Sequence, residues 1–132
     1  MPTSIELFRA PSGMGSVGIR LQIPPGRSGL LALQGHISIQ TRFVSGSIET
    51  WVTREDVSEW IGVLSAIESG RDAVWREYGR DVPISVTSDP MGDVWISVMD
   101  QDVHVSINID FSPDWLQSAR VAASDVLSLW PR

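Results

Sequence analysis

Apolar and polar positions alternate along much of this chain, and the alternating runs come in neighbouring pairs. From Asp102 to Asp110, Val103, Val105, Ile107 and Ile109 fall on one face, and Asp102, His104, Ser106, Asn108 and Asp110 on the other. A period of two over such a run predicts a strand with one buried face. Just before it, Val94, Ile96 and Val98 oppose Asp93, Trp95, Ser97 and Met99. A two-residue turn at Asp100-Gln101 sets Met99 against Asp102, Val98 against Val103, Ile96 against Val105 and Val94 against Ile107, so every apolar residue meets an apolar partner. The same register puts Ser97 across from His104.

Upstream, Ile84 and Val86 share the face of Val94 and Ile96 if the loop between them is odd in length. Asp89-Pro90-Met91-Gly92 provides a type I turn with a left-handed glycine after it. A further hairpin turns at Ser45-Gly46, with Phe43 facing Ile48, Ile39 facing Val52 and Arg42 beside Glu49. Leu31, Leu33, Ile37 and Ile39 keep one parity through a strand kinked at Gly35. Nearer the start, Ile5 and Leu7 form a short strand, and Val17, Ile19, Leu21 and Ile23 another, ended by Pro24-Pro25-Gly26.

Two segments change period. Val57, Trp60, Ile61, Leu64 and Ile67 make one helical stripe, opened by Thr53-x-x-Asp56 and closed by Gly70. Ser112-Pro113-Asp114 opens a second helix with a cap, a first-turn proline and an acid, and Trp115, Ala119, Ala122, Val126 and Trp130 line its apolar face. The segment 71–80 fits a short helix or a loop. The sum is one α+β domain over residues 1–132: an antiparallel sheet of about seven strands, in the order four strands, helix, three strands, helix, with both helices packed on one face. The sequence shows no internal repeat, linker or low-complexity segment.

Composition narrows the chemistry. All ten basic residues are arginine, cysteine is absent, and His36 and His104 are the only histidines. Thiol, Schiff-base and P-loop lysine chemistry are therefore missing, along with most of the usual acid–base equipment. A net charge of −6 with no basic run argues against nucleic acid and anionic membranes as partners. No apolar run approaches a membrane span, and the start MPTSIELFRA lacks the charged and apolar regions of a signal peptide. With no cysteine, a cytoplasmic location is the expectation. Arginine used without lysine points to a GC-rich genome.

Phe43-Val44-Ser45-Gly46, VTREDVSEW (52–60), ESGRDAVW (68–75) and DFSPDWLQSARVAASDVLSLWP (110–131) together resemble a family of small actinobacterial proteins. Streptomyces-type genomes carry many of them, and their domain has no known function. The likeness runs over roughly residues 30 to 131, in spacing more than in identity. More distantly the chain is similar to small immunity proteins of polymorphic-toxin systems, which also join a strand meander to a helix. No catalytic residues transfer from either resemblance.

Three constellations are candidates for function. Ser97, His104 and Asp102 share one strand face, which invites a hydrolase reading. Residues two apart on a strand lie about 7 Å from each other, however, and there is no nucleophile elbow or oxyanion hole. No catalytic residue is assigned. Asp100, Asp102 and His104 cluster at a hairpin tip near Asp89 and Asp93, but their spacing matches no calcium or zinc motif and fits ordinary turn chemistry. No metal or cofactor is expected. The tryptophans are more informative. Trp60, Trp115 and Trp130 sit on helical stripes and read as core, whereas parity puts Trp51 and Trp95 on the sheet face away from it, with Met99 beside Trp95 and Phe8 nearby. Either the 71–80 segment or the N-terminus covers them, or they form a partner surface.

The reading is a non-enzymatic protein-binding domain acting through Trp51, Trp95, Met99 and His104. Toxin neutralisation is one instance, and a basic protein or a second copy in a homodimer are the expected partners. The alternative is a small-molecule binder or accessory enzyme of actinobacterial metabolism, with its pocket between sheet and helices or at the acidic tips.

Overall fold

The computed structural model describes residues 4–13, 15–26, 31–77, 81–101, 103–110 and 113–130. Its strands and helices run in chain order as β1 (Ser4–Ser12), β2 (Gly15–Gln22), β3 (Ala32–Gln40), β4 (Ser45–Thr53), α1 (Arg54–Glu68), β5 (Ala73–Trp75), β6 (Ile84–Ser88), β7 (Val94–Asp100), β8 (Val103–Ile109) and α2 (Pro113–Leu127). The α+β class is as expected, but a single seven-stranded sheet is not what forms. Eight strands make two four-stranded antiparallel meanders, β1-β2-β3-β4 and β5-β6-β7-β8. The extra strand, β5, lies in the undecided 71–80 segment and is only three residues long, too short to show a period.

Each sheet turns its apolar face to one shared core, where Ile19, Ile37 and Val52 of the first meet the same cluster as Val86, Ile96 and Ile107 of the second. The sheets approach where β1 and β8 end: the Asp110 N–H donates to the Pro11 carbonyl at 2.9 Å, and the Ser12 hydroxyl to that of Asn108. Helix α1 packs on α2, β5 and β4, while α2 packs on β1. No described helix is long and apolar enough to cross a membrane.

The architecture repeats although the sequence does not, since four strands and a helix occur twice. The two helices bury equivalent positions. Val57, Trp60, Leu64 and Ile67 in α1 occupy the places of Leu116, Ala119, Ala123 and Val126 in α2, and all eight are buried. At one of these places a tryptophan answers an alanine, so the shared stripe survives without shared residues.

Local chemistry sets the boundaries. Thr53 and Asp56 form a full capping box, the Thr53 hydroxyl accepting from the Asp56 N–H at 3.1 Å and the Asp56 carboxylate from the Thr53 N–H at 3.0 Å. Gly70, at φ +72°, ends α1 in the left-handed region. Gly92, at φ +87°, takes the place read for it in the loop before β7. Ser112, the expected cap of α2, lies outside the described residues.

Two registers differ from those read in the sequence. In the β7–β8 hairpin, Met99 pairs with His104, Val98 with Val105, Ile96 with Ile107 and Val94 with Ile109. The turn is therefore one residue later, with Gln101 at φ +24°, and the register brings Ile109 into the ladder. In the β3–β4 hairpin, Ile37 pairs with Ile48, Leu33 with Val52 and His36 with Glu49. A four-residue loop, Thr41 to Val44, replaces the turn at Ser45-Gly46. The Thr41 hydroxyl holds it by accepting from the N–H groups of Phe43 at 3.1 Å and Val44 at 2.8 Å. Phe43 is consequently 96% exposed, and Arg42 does not face Glu49.

Strand β1 departs in a third way. It runs nine residues, longer than the short strand read around Ile5 and Leu7, and its pairing with β2 shifts between Glu6 and Phe8. That bulge lets Leu7 and Phe8 both point inward, so Phe8 belongs to the core and not to the outer face. Its ring lies 4.5 Å from that of Trp60 and 6.4 Å from that of Trp115. Trp60 in turn lies 5.3 Å from Trp75, so an aromatic chain links α2, β1, α1 and β5. Trp60, Trp115 and Trp130 are buried as expected, although Trp130 lies beyond the end of α2 and the stripe buries Ala123 in place of Ala122.

Candidate partner-binding face

The outer face of the second sheet is built from three cross-strand rows. Thr87, Trp95 and Asn108 form one, Ser85, Ser97 and Ser106 the next, and Met99 with His104 the last. Trp95 is 36% exposed and Met99 45%, with half-exposed Val74 of β5 beside the serine row. Because β5 pairs at the sheet edge and turns Trp75 inward, residues 73–77 leave Trp95 uncovered.

The loop before β7 orients Trp95. One Asp89 carboxylate oxygen accepts from the N–H groups of Met91 at 2.9 Å and Asp93 at 3.0 Å. Its other oxygen accepts from the Trp95 indole at 3.4 Å. Asp72 accepts from the Ser88 N–H at 2.9 Å, and Asp100 ends β7 next to Met99. An acidic border thus surrounds an aromatic and methionine centre. From Asp81 to Ala119 the chain carries seven aspartates and no arginine or lysine. The outer face of the first sheet is different. There Glu6 accepts from both Arg9 and Arg20 at 3.0 Å, and its hydrogen bond and charge raise the Arg9 pKa.

Of the residues singled out in the sequence, Trp95, Met99 and His104 come together on this face. Trp51 belongs to the first sheet: it lies 51% exposed on β4, opposite Gln34, with its backbone bonded to Arg76 and Asp81 of the segment that leads into β6. His104 is hydrogen-bonded to Ser106, not aligned with Ser97: its Nε2 lies 3.1 Å from the Ser106 hydroxyl, which lies 2.7 Å from that of Ser97. This places His104 beside a hydroxyl on the edge strand β8, whose alternate backbone groups turn away from β7, as the outward bonds of Asn108 and Asp110 show. Asp102 lies outside the described residues, and among those described no three histidine or acidic side chains are grouped to hold a metal.

The most elaborate polar cluster was not legible in the sequence. Arg76 is 2% exposed and adopts φ +59°. Its guanidinium donates to the carbonyls of Trp51 at 3.0 Å and Val82 at 2.6 Å, and lies 4.1 Å from the Trp75 ring. Its N–H donates to Glu59 at 3.0 Å. Burial lowers the Arg76 pKa against the opposing charges of Asp81, Asp56 and Glu59. Burial also works against ionised Asp81, yet hydrogen bonds from the Trp51 and Val82 N–H groups, with the Arg76 charge, hold its pKa below the usual value. No spacing or motif marks Arg76, and its ligands are mostly carbonyls that only the fold brings close.

Residues 5–131 match the model of a family of unknown function, DUF5959, and the chain belongs to that family. No curated protein gives a significant match, and no solved structure does either.

Proposed function

We propose that this domain is a non-enzymatic protein-binding module that docks a basic partner on the outer face of β6, β7 and β8, around Trp95, Met99 and His104. The observation that carries the reading is the exposed Trp95–Met99 centre bordered by Asp72, Asp89 and Asp100, on strands β6, β7 and β8 that carry no arginine or lysine. Tryptophan and methionine are favoured at interface centres, and like-signed borders select oppositely charged partners and speed their encounter. Neutralising a basic toxin in the cytoplasm is one instance that the charge suits. The test is capture from native host lysate with wild type and with Trp95→Asp, folding being checked by circular dichroism. The reading expects a basic protein held by wild type, lost from the variant and released by salt. A partner retained equally by the folded variant contradicts it.

A second reading, small-molecule binding, draws support from one feature. An open groove of about 650 Å³ lies between β1, β2 and α2, lined by Phe8, Arg9, Gln40, Trp115 and Ser118 among others. Ligand pockets combine apolar walls with a few polar groups, and here Phe8 and Trp115 stand beside Arg9, Gln40 and Ser118. Ser118→Trp, which would fill the groove, separates the two readings by leaving protein capture intact.

A further inference from the structure

Strand β4 is an outer strand of the first sheet, so every second residue turns its backbone N–H and carbonyl away from β3. Trp51 identifies the set, because its N–H donates outward to Asp81 at 2.8 Å and its carbonyl accepts outward from Arg76. Thr53, two residues on, donates its N–H to Asp56. Pairing with β3 is regular from Ser45 to Thr53, so Glu49, Ser47 and Ser45 point the same way. Among the described residues, none bonds those groups.

The edge is therefore closed over its second half and open over its first. Natural edges are usually blunted by charged side chains, lysine above all, by proline, a bulge or extreme shortness. The open half reads Ser-Gly-Ser-Ile-Glu, in which Glu49, next to the closed half, is the one such residue.

We propose that this open half pairs with the same segment of a second copy, antiparallel and centred on Ser47, to give a two-fold symmetric dimer. Ser47 then meets Ser47 of the second copy and Ser45 meets its Glu49, each pair exchanging two backbone hydrogen bonds. No like charges face each other, and the small side chains of Ser45, Gly46 and Ser47 allow close approach. The choice of a second copy over an unrelated strand rests on the aromatic residues. Phe43 and Trp51, 96% and 51% exposed, are the two most exposed aromatic side chains described. They lie equally far on either side of Ser47 in the chain. An antiparallel pairing about Ser47 carries the loop that holds Phe43 in each copy past Trp51 of the other, and so covers both. The Arg76–Asp81 closure at Trp51 sets where the pairing stops.

Sedimentation equilibrium from micromolar to about millimolar protein, with amide exchange read at both ends of the range, tests this. Wild type is expected to dimerise, and the Ser47 and Glu49 amides to exchange slowly only where the dimer is populated. Ser47→Pro removes the central donor without touching the β3 ladder and should be monomeric throughout. Should that variant fail to fold, Phe43→Asp decides, since its site is solvent-exposed; it should weaken the dimer at least tenfold. Three results would each overturn the proposal. These are a monomeric wild type over the whole range, a dimer whose Ser47 and Glu49 amides exchange as in the monomer, or a dimer indifferent to Phe43→Asp.

Discussion

Arg76 and Trp51 meet through a single hydrogen bond of 3.0 Å, guanidinium to main-chain carbonyl, while Asp81 takes the N–H of the same tryptophan at 2.8 Å. One edge residue thus has both backbone groups closed by side chains of opposite charge from the segment after β5. Removing the arginine leaves the carbonyls of Trp51 and Val82 without a donor and the acids around it without their counter-charge. Breaking such a buried arrangement on one side costs about 3 kcal/mol or more. Arg76→Leu should lower the urea unfolding free energy by about that amount, with Arg76→Lys intermediate because it lacks the two-carbonyl reach.

Asp81 makes part of this closure depend on acid. Its folded pKa lies below the unfolded value, so its ionisation stabilises the fold fully above about pH 4 and progressively less as pH falls through the folded value. Asp81→Asn should be less stable than wild type at neutral pH, with the gap narrowing below about pH 4. Denaturant midpoints measured across that range check it; a gap constant with pH would remove the charge from the explanation.

Two phenylalanines separate the core from the surface. Phe8 stacks on Trp60 in the aromatic chain, and its replacement by alanine should cost about 3–5 kcal/mol. Phe43→Ala, at a loop tip, should change unfolding by less than about 0.5 kcal/mol at concentrations where the protein is monomeric.

At the start of α1, Thr53→Ala removes one half of the capping box and leaves the Asp56 N–H unbonded. Thermal or urea unfolding should show a loss of about 1 kcal/mol, and Thr53→Ser should restore most of it.

These particulars explain what could be read from the chain. Which face each strand buries was legible, because alternation survives any slide of two residues along the partner. The pairing itself was not, for the same reason: Val98 opposite Val103 and Val98 opposite Val105 satisfy the pattern equally. Loop chemistry decides instead, through the left-handed Gln101 and the hydroxyl of Thr41. Phe8 was misplaced because a bulge breaks parity within the strand. Trp95, Met99 and His104 fall on one face as expected because all three belong to one hairpin, where parity alone fixes the face even with the register misread. That Trp51 belongs to a different sheet depends on the division into two sheets, a long-range fact that no local period records.

The central claim is that the acidic, tryptophan-centred face of the second sheet holds a basic protein. Calorimetric titration of the captured partner into wild type and into folded Trp95→Asp tests it most directly. The account predicts that the substitution weakens affinity at least thirtyfold, as expected for the centre of an interface, and that wild-type affinity falls as salt is raised. Equal affinity for both proteins, unaffected by salt, would contradict it.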